Sequence, residues 1–258
     1  MCLILVAWRA HADYPLVLAA NRDEFHAREA APAGWWQGPD ILAGRDLSAG
    51  GTWLGIARDG RFAALTNYRD PTIAARAAPS RGELVPATLA STLPVQLRLQ
   101  QLRRSAASYN GFNLIFSDGE RLAVFESVPG NGRVLGPGVY GLSNHLLDTP
   151  WPKLRTAKSA LNAAMTRLPD QQPLLELLRD ERQADDAQLP RTGVSIEWER
   201  LLSSAFIRSP DYGTRCSTIL LIDRRGGVRF SEWSWDESGT LSSQVEHRFE
   251  TAAMIGAV

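Results

Sequence analysis

Cysteine is scarce in this chain, with two residues in 258, Cys2 and Cys216. Two cannot build a disulfide framework, and their wide separation is no metal-ligand spacing. A reducing, cytoplasmic setting is therefore expected. Histidine is nearly as rare: His11, His26, His145 and His247 are scattered and lack HExxH or finger spacing, which argues against zinc. Asp23-Glu24 alone offers too few oxygens for a hard cation, so no metal is expected. Charge of one sign is also missing, since 28 basic residues balance 28 acidic ones. Nothing in that balance favours nucleic acid or an anionic membrane surface. No apolar run approaches the roughly 20 residues of a membrane helix. The run over residues 3–8 (LILVAW) has no positive charge ahead of it and is cut off by Arg9, so it does not read as a signal peptide. A soluble protein without membrane insertion is expected. There is no GxGxxG or Walker loop to suggest a nucleotide fold, no internal repeat and no low-complexity linker.

What is present is an ordinary globular composition, 44% apolar and 22% charged. At 258 residues the chain is read as one domain over residues 1–258. Residues 2–8 and 15–20 are two strand-like runs that form a hairpin and empty into the polar tetrad Asn21-Arg22-Asp23-Glu24. Residues 25–51, with Pro32, Gly34, Gly38 and Gly44, read as a long ordered loop carrying Trp35 and Trp36. Residues 52–57 and 62–66, joined by Asp59-Gly60, make a clear hairpin. Its second strand ends at Asn67-Tyr68-Arg69. Ser80-Arg81-Gly82-Glu83 fits a capping box opening a helix. Residues 111–117 and 121–126 make another hairpin, and residues 139–144 a strand ending at Asn144. Helices follow from about Pro152, with Leu154, Ala157, Leu161 and Met165 on one face, and from about Pro173 to Arg182. A short one covers residues 196–202. Residues 217–223, 228–235 and about 245–249 are the last strands. Hairpins dominate, and helices are segregated between them. This order predicts an α+β fold with two mainly antiparallel sheets packed face to face between helices.

The chemistry centres on Met1-Cys2. Cysteine is small enough for the initiator methionine to be trimmed, which leaves a thiol and its own basic α-amine on one residue. Both groups are mostly protonated at pH 7. A nearby guanidinium favours the thiolate and the neutral amine. Arg22, brought beside Cys2 by the hairpin, is one candidate, and Arg215 in Tyr212-Gly213-Thr214-Arg215 is another. Asp23 is suited to accept a hydrogen bond from the amine. The side-chain amides of Asn67 and Asn144, both at strand ends, are candidates for stabilising an oxyanion. Cys216 follows Arg215 on a strand, so the two are expected to face opposite ways; if Arg215 faces the site, Cys216 packs elsewhere and a Cys2–Cys216 redox pair is disfavoured.

Asn21-Arg22-Asp23-Glu24-Phe25, Gly50-Gly51-Thr52-Trp53-Leu54-Gly55, Asn67-Tyr68-Arg69, Gly111-Phe112-Asn113-Leu114, Gly141-Leu142-Ser143-Asn144, Asp148 to Lys153 (DTPWPK) and Tyr212-Gly213-Thr214-Arg215 occur in this order. Together with the Met-Cys start they resemble the NRDE family, whose eukaryotic members are called transport and Golgi organization protein 2. That family is in turn distantly similar to N-terminal nucleophile (Ntn) hydrolases of the choloylglycine hydrolase type. The resemblance implies a four-layer αββα sandwich and amide-bond hydrolysis by an N-terminal cysteine, with no cofactor and a small-molecule substrate. It gives Cys2 the nucleophile position, Asn144 the downstream asparagine and Arg215 the late arginine, with Asn67 as the strand-end asparagine. The Arg-Asn-x-Asp pattern of those hydrolases is met by Asn21 and Asp23. Its arginine position is Ala20, and Arg22 stands two residues later. The alternative function is a non-enzymatic carrier of haem or another hydrophobic metabolite, using the aromatic loop near Trp35 and Trp36. A purely structural partner-binding domain explains the polar strand ends least.

Overall fold

The computed structural model describes residues 2–38, 40–73 and 76–251; Met1, whose removal the sequence predicts, lies outside them. Strands β1 (Cys2–Trp8) and β2 (Leu16–Phe25) form the first hairpin, followed by β3 (Ala30–Trp35), β4 (Ile41–Asp46), β5 (Leu54–Ala57) and β6 (Phe62–Asn67). Helices α1 (Leu84–Leu89) and α2 (Val95–Ser105) precede β7 (Phe112–Ser117), β8 (Leu122–Glu126), β9 (Asn131–Leu135) and β10 (Gly138–Leu142). Then come α3 (Pro152–Met165), α4 (Gln172–Leu178), α5 (Ile196–Leu201) and the strands β11 (Tyr212–Ile222), β12 (Gly227–Trp235) and β13 (Leu241–Glu250). They build two sheets, β10-β1-β2-β11-β12-β13 and β3-β4-β5-β6-β7-β8-β9, in which neighbouring strands run antiparallel.

Alternation of side chains along each strand divides the core into three layers. Ile4, Val6, Leu18, Ala20, Leu220 and Phe230 meet Leu54, Ile56, Phe62 and Val124 between the sheets. Leu3, Leu5, Val17 and Ala19 face the other way, onto Leu154, Leu161, Leu174 and Leu178 of α3 and α4. On the second sheet Ala63, Leu65, Leu114 and Phe116 pack against Leu84, Leu89, Leu99 and Leu102 of α1 and α2. The order is helix, sheet, sheet, helix, as the alternation and the resemblance both imply. Phe62 and Phe230 are fully buried between the sheets, and truncating either to alanine costs about 3–5 kcal/mol.

Three local expectations are corrected. The second strand of the first hairpin does not end at the tetrad: Asn21, Arg22, Asp23 and Glu24 continue β2, with the first three buried. Residues 25–51 are not one loop but contain β3 and β4. There Pro32 sits on an edge strand at a bulge between Ala31 and Gly34, where no ladder donor is required of it. Ser80 caps as expected, its Oγ accepting from the Gly82 N–H at 3.3 Å, but Glu83 accepts from the Tyr109 hydroxyl at 2.6 Å instead of reaching back.

Candidate functional site at the head of the first strand

The pairing of β1 with β2 places Cys2 directly opposite Arg22, and the pairing of β2 with β11 places Arg22 opposite Cys216. Cross-strand partners share a face, so Cys2, Arg22 and Cys216 form one row on the inter-sheet side, in line with Ile4, Ala20 and Thr218. Asn21 and Asp23, of opposite parity, face the helices. Of the two neighbours Arg215 and Cys216, it is Cys216 that stands on the Cys2 side. A bulge between Thr214 and Cys216 takes Arg215 out of register. The bulge also sets Thr214 opposite Asp23, where its Oγ1 donates to Asp23 Oδ1 at 2.7 Å.

Cys2 opens into a cleft of about 490 Å³ whose lining includes Arg22, Asp23, Asn67, Trp53 and Arg81. On its inter-sheet wall the Arg22 guanidinium lies 4.5 Å from the Trp53 ring centroid and 3.3 Å from an Asp46 oxygen. Asp46 also binds Arg28 at 2.6 Å. Burial would push the Asp46 carboxyl up, but the Arg28 hydrogen bond, the Ala49 N–H and the two guanidinium charges hold it below the usual range. Burial pushes the Cys2 thiol up, and the Asp23 carboxylate adds to this. Arg22 and the Asp23 backbone N–H act against it, favouring thiolate. Asp23 is also pushed up by burial. The foremost counter-influence is the Lys153 ammonium, followed among side chains by the Thr214 hydrogen bond and Arg22.

Of the residues expected from sequence, Cys2, Arg22, Asp23 and Asn67 share this cleft. Asn144 stands directly behind it: its Nδ2 donates to the Asn67 carbonyl at 2.9 Å, and the neighbouring Ser143 hydroxyl donates to the Cys2 carbonyl at 3.0 Å. The Asn144 amide nitrogen is thus engaged with backbone, whereas Asn67 is itself part of the cleft lining. Arg215 lies elsewhere. Its Nη1 donates to the His26 carbonyl at 2.6 Å, and it lines a separate cavity of about 150 Å³ with Arg22, Cys216 and Glu232. Trp35 and Trp36 are packed, the first against Phe249 and Arg58, the second donating to the Ala43 carbonyl at 3.1 Å. The cleft at Cys2 does not include either.

Sequence reasoning passed over several residues. Lys153, in the first turn of α3, is buried, and burial lowers its ammonium to about 8. Tyr212 is buried near Asp23 and Cys2, and burial raises its phenol well above the ordinary value. Asn21 is a clamp: its Nδ2 donates to the Leu178 and Ala205 carbonyls at 2.7 and 2.8 Å, tying β2 to the helix layer. A larger groove of about 600 Å³ runs between α3 and α4, but Cys2 is not among its lining residues. Among the described residues, no cluster of three or more His, Cys, Asp or Glu is placed to hold a metal, and no helix is long and apolar enough to cross a membrane.

Residues 1–237 match the family described as Transport and Golgi organisation 2. The Transport and Golgi organization protein 2 homolog of Bos taurus is 42% identical over 241 residues, covering 86% of this chain and 87% of the relative. Among solved structures the chain is similar to the Caenorhabditis elegans N-acylethanolamine-hydrolyzing acid amidase ortholog, at 12% identity and a TM-score of 0.47, covering 85% of this chain and 92% of that one. It is also similar to a C2A mutant of the conjugated bile acid hydrolase from Clostridium perfringens, at 11% identity and a TM-score of 0.45, covering 99% and 94%.

Proposed function

The chain belongs to the Transport and Golgi organisation 2 family, and for this member we propose hydrolysis of a non-peptide or cyclic amide bond by Cys2, made N-terminal by removal of Met1. The observation that carries the reading is the position of the Cys2 side chain in a cleft that also holds Arg22, Asp23 and Asn67. A cysteine that merely filled the core would be walled by hydrocarbon.

In the proposed reaction the sulfur attacks the amide carbonyl carbon. A C–S bond forms, the thiol proton passes to the α-amine, and from there it goes to the leaving nitrogen as the C–N bond breaks. Water then adds to the thioester, giving a proton back to the amine. The acid leaves and the thiol is restored. Arg22 favours the thiolate, Asp23 directs the amine, and the Asn67 amide is the candidate donor to the oxyanion, a role worth about 3–4 kcal/mol of transition-state stabilisation where it has been measured. Asn144 supports Asn67 through its carbonyl.

The test combines intact mass with a panel of acyl amides assayed on wild type, Cys2→Ala and Cys2→Ser. The expected result is a chain lacking Met1 that cleaves at least one amide and loses the activity in Cys2→Ala. Cleavage by protein that retains Met1, or undiminished cleavage by Cys2→Ala, would overturn the mechanism.

A further inference from the structure

The two sheets shift register at three places among the described residues: between Ala31 and Gly34 on β3, between Thr214 and Cys216 on β11, and between Ser234 and Trp235 on β12. All three border the cavity of about 150 Å³ that shares Arg22 and Trp53 with the Cys2 cleft. Successive residues of a regular strand point to opposite faces. Here the neighbours Arg215 and Cys216, Ser234 and Trp235, and Ser242 and Ser243 line one space. A bulge re-aims side chains in this way, and three of them converging on one small volume argue for a shaped site.

Its lining carries donors that the chain leaves unused. Arg22 is 4% exposed. Its Nη2 is engaged by Asp46 at 3.3 Å, and among the described residues its Nη1 is buried without a hydrogen-bond partner. Arg215 gives its Nη1 to the His26 carbonyl at 2.6 Å, and its Nε is likewise buried and unpartnered. Buried N–H groups without an acceptor cost stability, and two guanidinium groups bordering one small volume repel each other. Ser234 and Ser243 add hydroxyl-bearing side chains to the wall. One acid opposes them. Glu232 lines the cavity, but it accepts from the Ala33 N–H at 2.7 Å and the Thr218 hydroxyl at 3.3 Å. Burial pushes its carboxyl up to about 7, so it holds its proton on the acid side of neutrality. Asp46, the other acid near Arg22, is shared with Arg28 on the cleft side.

We propose that this cavity is a binding site for a small oxyanion, a carboxylate or an inorganic phosphate, gripped between the guanidinium groups of Arg22 and Arg215. A planar guanidinium presents paired N–H donors that match the oxygens of such a group. The volume holds the equivalent of about five waters, which suits an acetate or a phosphate. Trp53 and Trp235 supply apolar walls for a short hydrocarbon tail. The site does not depend on the reading of Cys2 as nucleophile, although Arg22 sets its occupant beside that cleft.

The test is the broadening, by the protein, of the 13C-acetate carboxylate resonance and of the 31P resonance of inorganic phosphate, at pH 6 and constant ionic strength. Wild type is expected to broaden at least one of them. Excess unlabelled oxyanion should reverse the effect and the same concentration of chloride should not. Arg215→Gln is expected to raise the dissociation constant by about tenfold or more, as loss of a hydrogen bond to a charged group does. Ser243→Leu, on the edge strand β13, fills the cavity without removing a charge and should abolish the broadening. The oxyanion that binds more tightly names the chemistry of the occupant. No broadening of either resonance, displacement by chloride as readily as by oxyanion, or unchanged affinity in either variant overturns the proposal. If Arg215→Gln fails to fold, Ser243→Leu and the chloride displacement still decide.

Discussion

Cys2 and Cys216 stand on either side of Arg22, in one row across three adjacent strands. Two strand spacings separate their backbones by about 10 Å. A disulfide needs Cα atoms within about 7 Å. Mild oxidant followed by thiol counting under denaturing conditions should still return two free thiols per chain. A single intramolecular disulfide would contradict the register.

Arg22 serves Cys2 electrostatically and Asp46 structurally, and the two roles can be separated. Arg22→Gln leaves Asp46 its 2.6 Å partner Arg28, so the loss of stability should be modest, about 1–3 kcal/mol. It also removes a cation that favours the Cys2 thiolate. Alkylation of Cys2 at pH 8 should slow by about 3–10-fold. Asp46→Asn leaves the buried Arg22 guanidinium without its carboxylate, while the partly exposed Arg28 keeps Glu24 at 3.9 Å, and should destabilise more, about 3–5 kcal/mol. Chemical unfolding of the two variants side by side checks the order.

Glu232 is buried between the sheets, accepting from the Ala33 N–H at 2.7 Å and the Thr218 hydroxyl at 3.3 Å. Burial raises its carboxyl to about 7. In the unfolded chain it titrates near about 4.3. The folded protein therefore holds a proton that the unfolded chain gives up, and this contribution to stability is complete below about pH 4 and is lost as pH rises to about 7. Glu232→Gln should remove on the order of 2–3 kcal/mol of the difference in stability between pH 5 and pH 7. Urea midpoints for wild type and variant at the two pH values give the comparison.

Gly51 packs onto the loop that carries Arg81. A Cβ there would stand 2.4 Å from the Gly82 carbonyl carbon, and the next residue, Thr52, donates its N–H to the Gly82 carbonyl at 3.0 Å. Gly51→Ala should displace residues 80–82 from the cleft wall and cost about 1–3 kcal/mol. Gly34→Ala, with open space around the new methyl, is the control and should be nearly neutral. Thermal melts of the pair would reveal the contrast.

The hairpins and layers were legible because apolar alternation and Asp-Gly turns are local signals. β3 and β4 were not, since Pro32, Gly34 and Gly44 mimic a loop; the edge position and bulge of β3 explain the first two, and the close approach of the Trp53 ring explains Gly44. The continuation of β2 through Asn21, Arg22 and Asp23 was hidden because buried polar residues look like a strand end until their partners are known. Those partners are Leu178, Asp46 and Thr214, 157, 24 and 191 residues away. Arg215 was assigned to the Cys2 site by the resemblance, and a bulge invisible to periodicity takes it out of register beside the neighbouring cavity. Lys153 carried a signal that motif reading overlooked: the rarity of its residue type in an arginine-rich chain.

The opening of β1 into the cleft has a practical corollary for anyone producing the protein. On the proposed reading of Cys2 as nucleophile, residues fused ahead of it would block methionine trimming and leave the cysteine without a free α-amine. An affinity tag therefore belongs at the other terminus whenever that reading is put to the test.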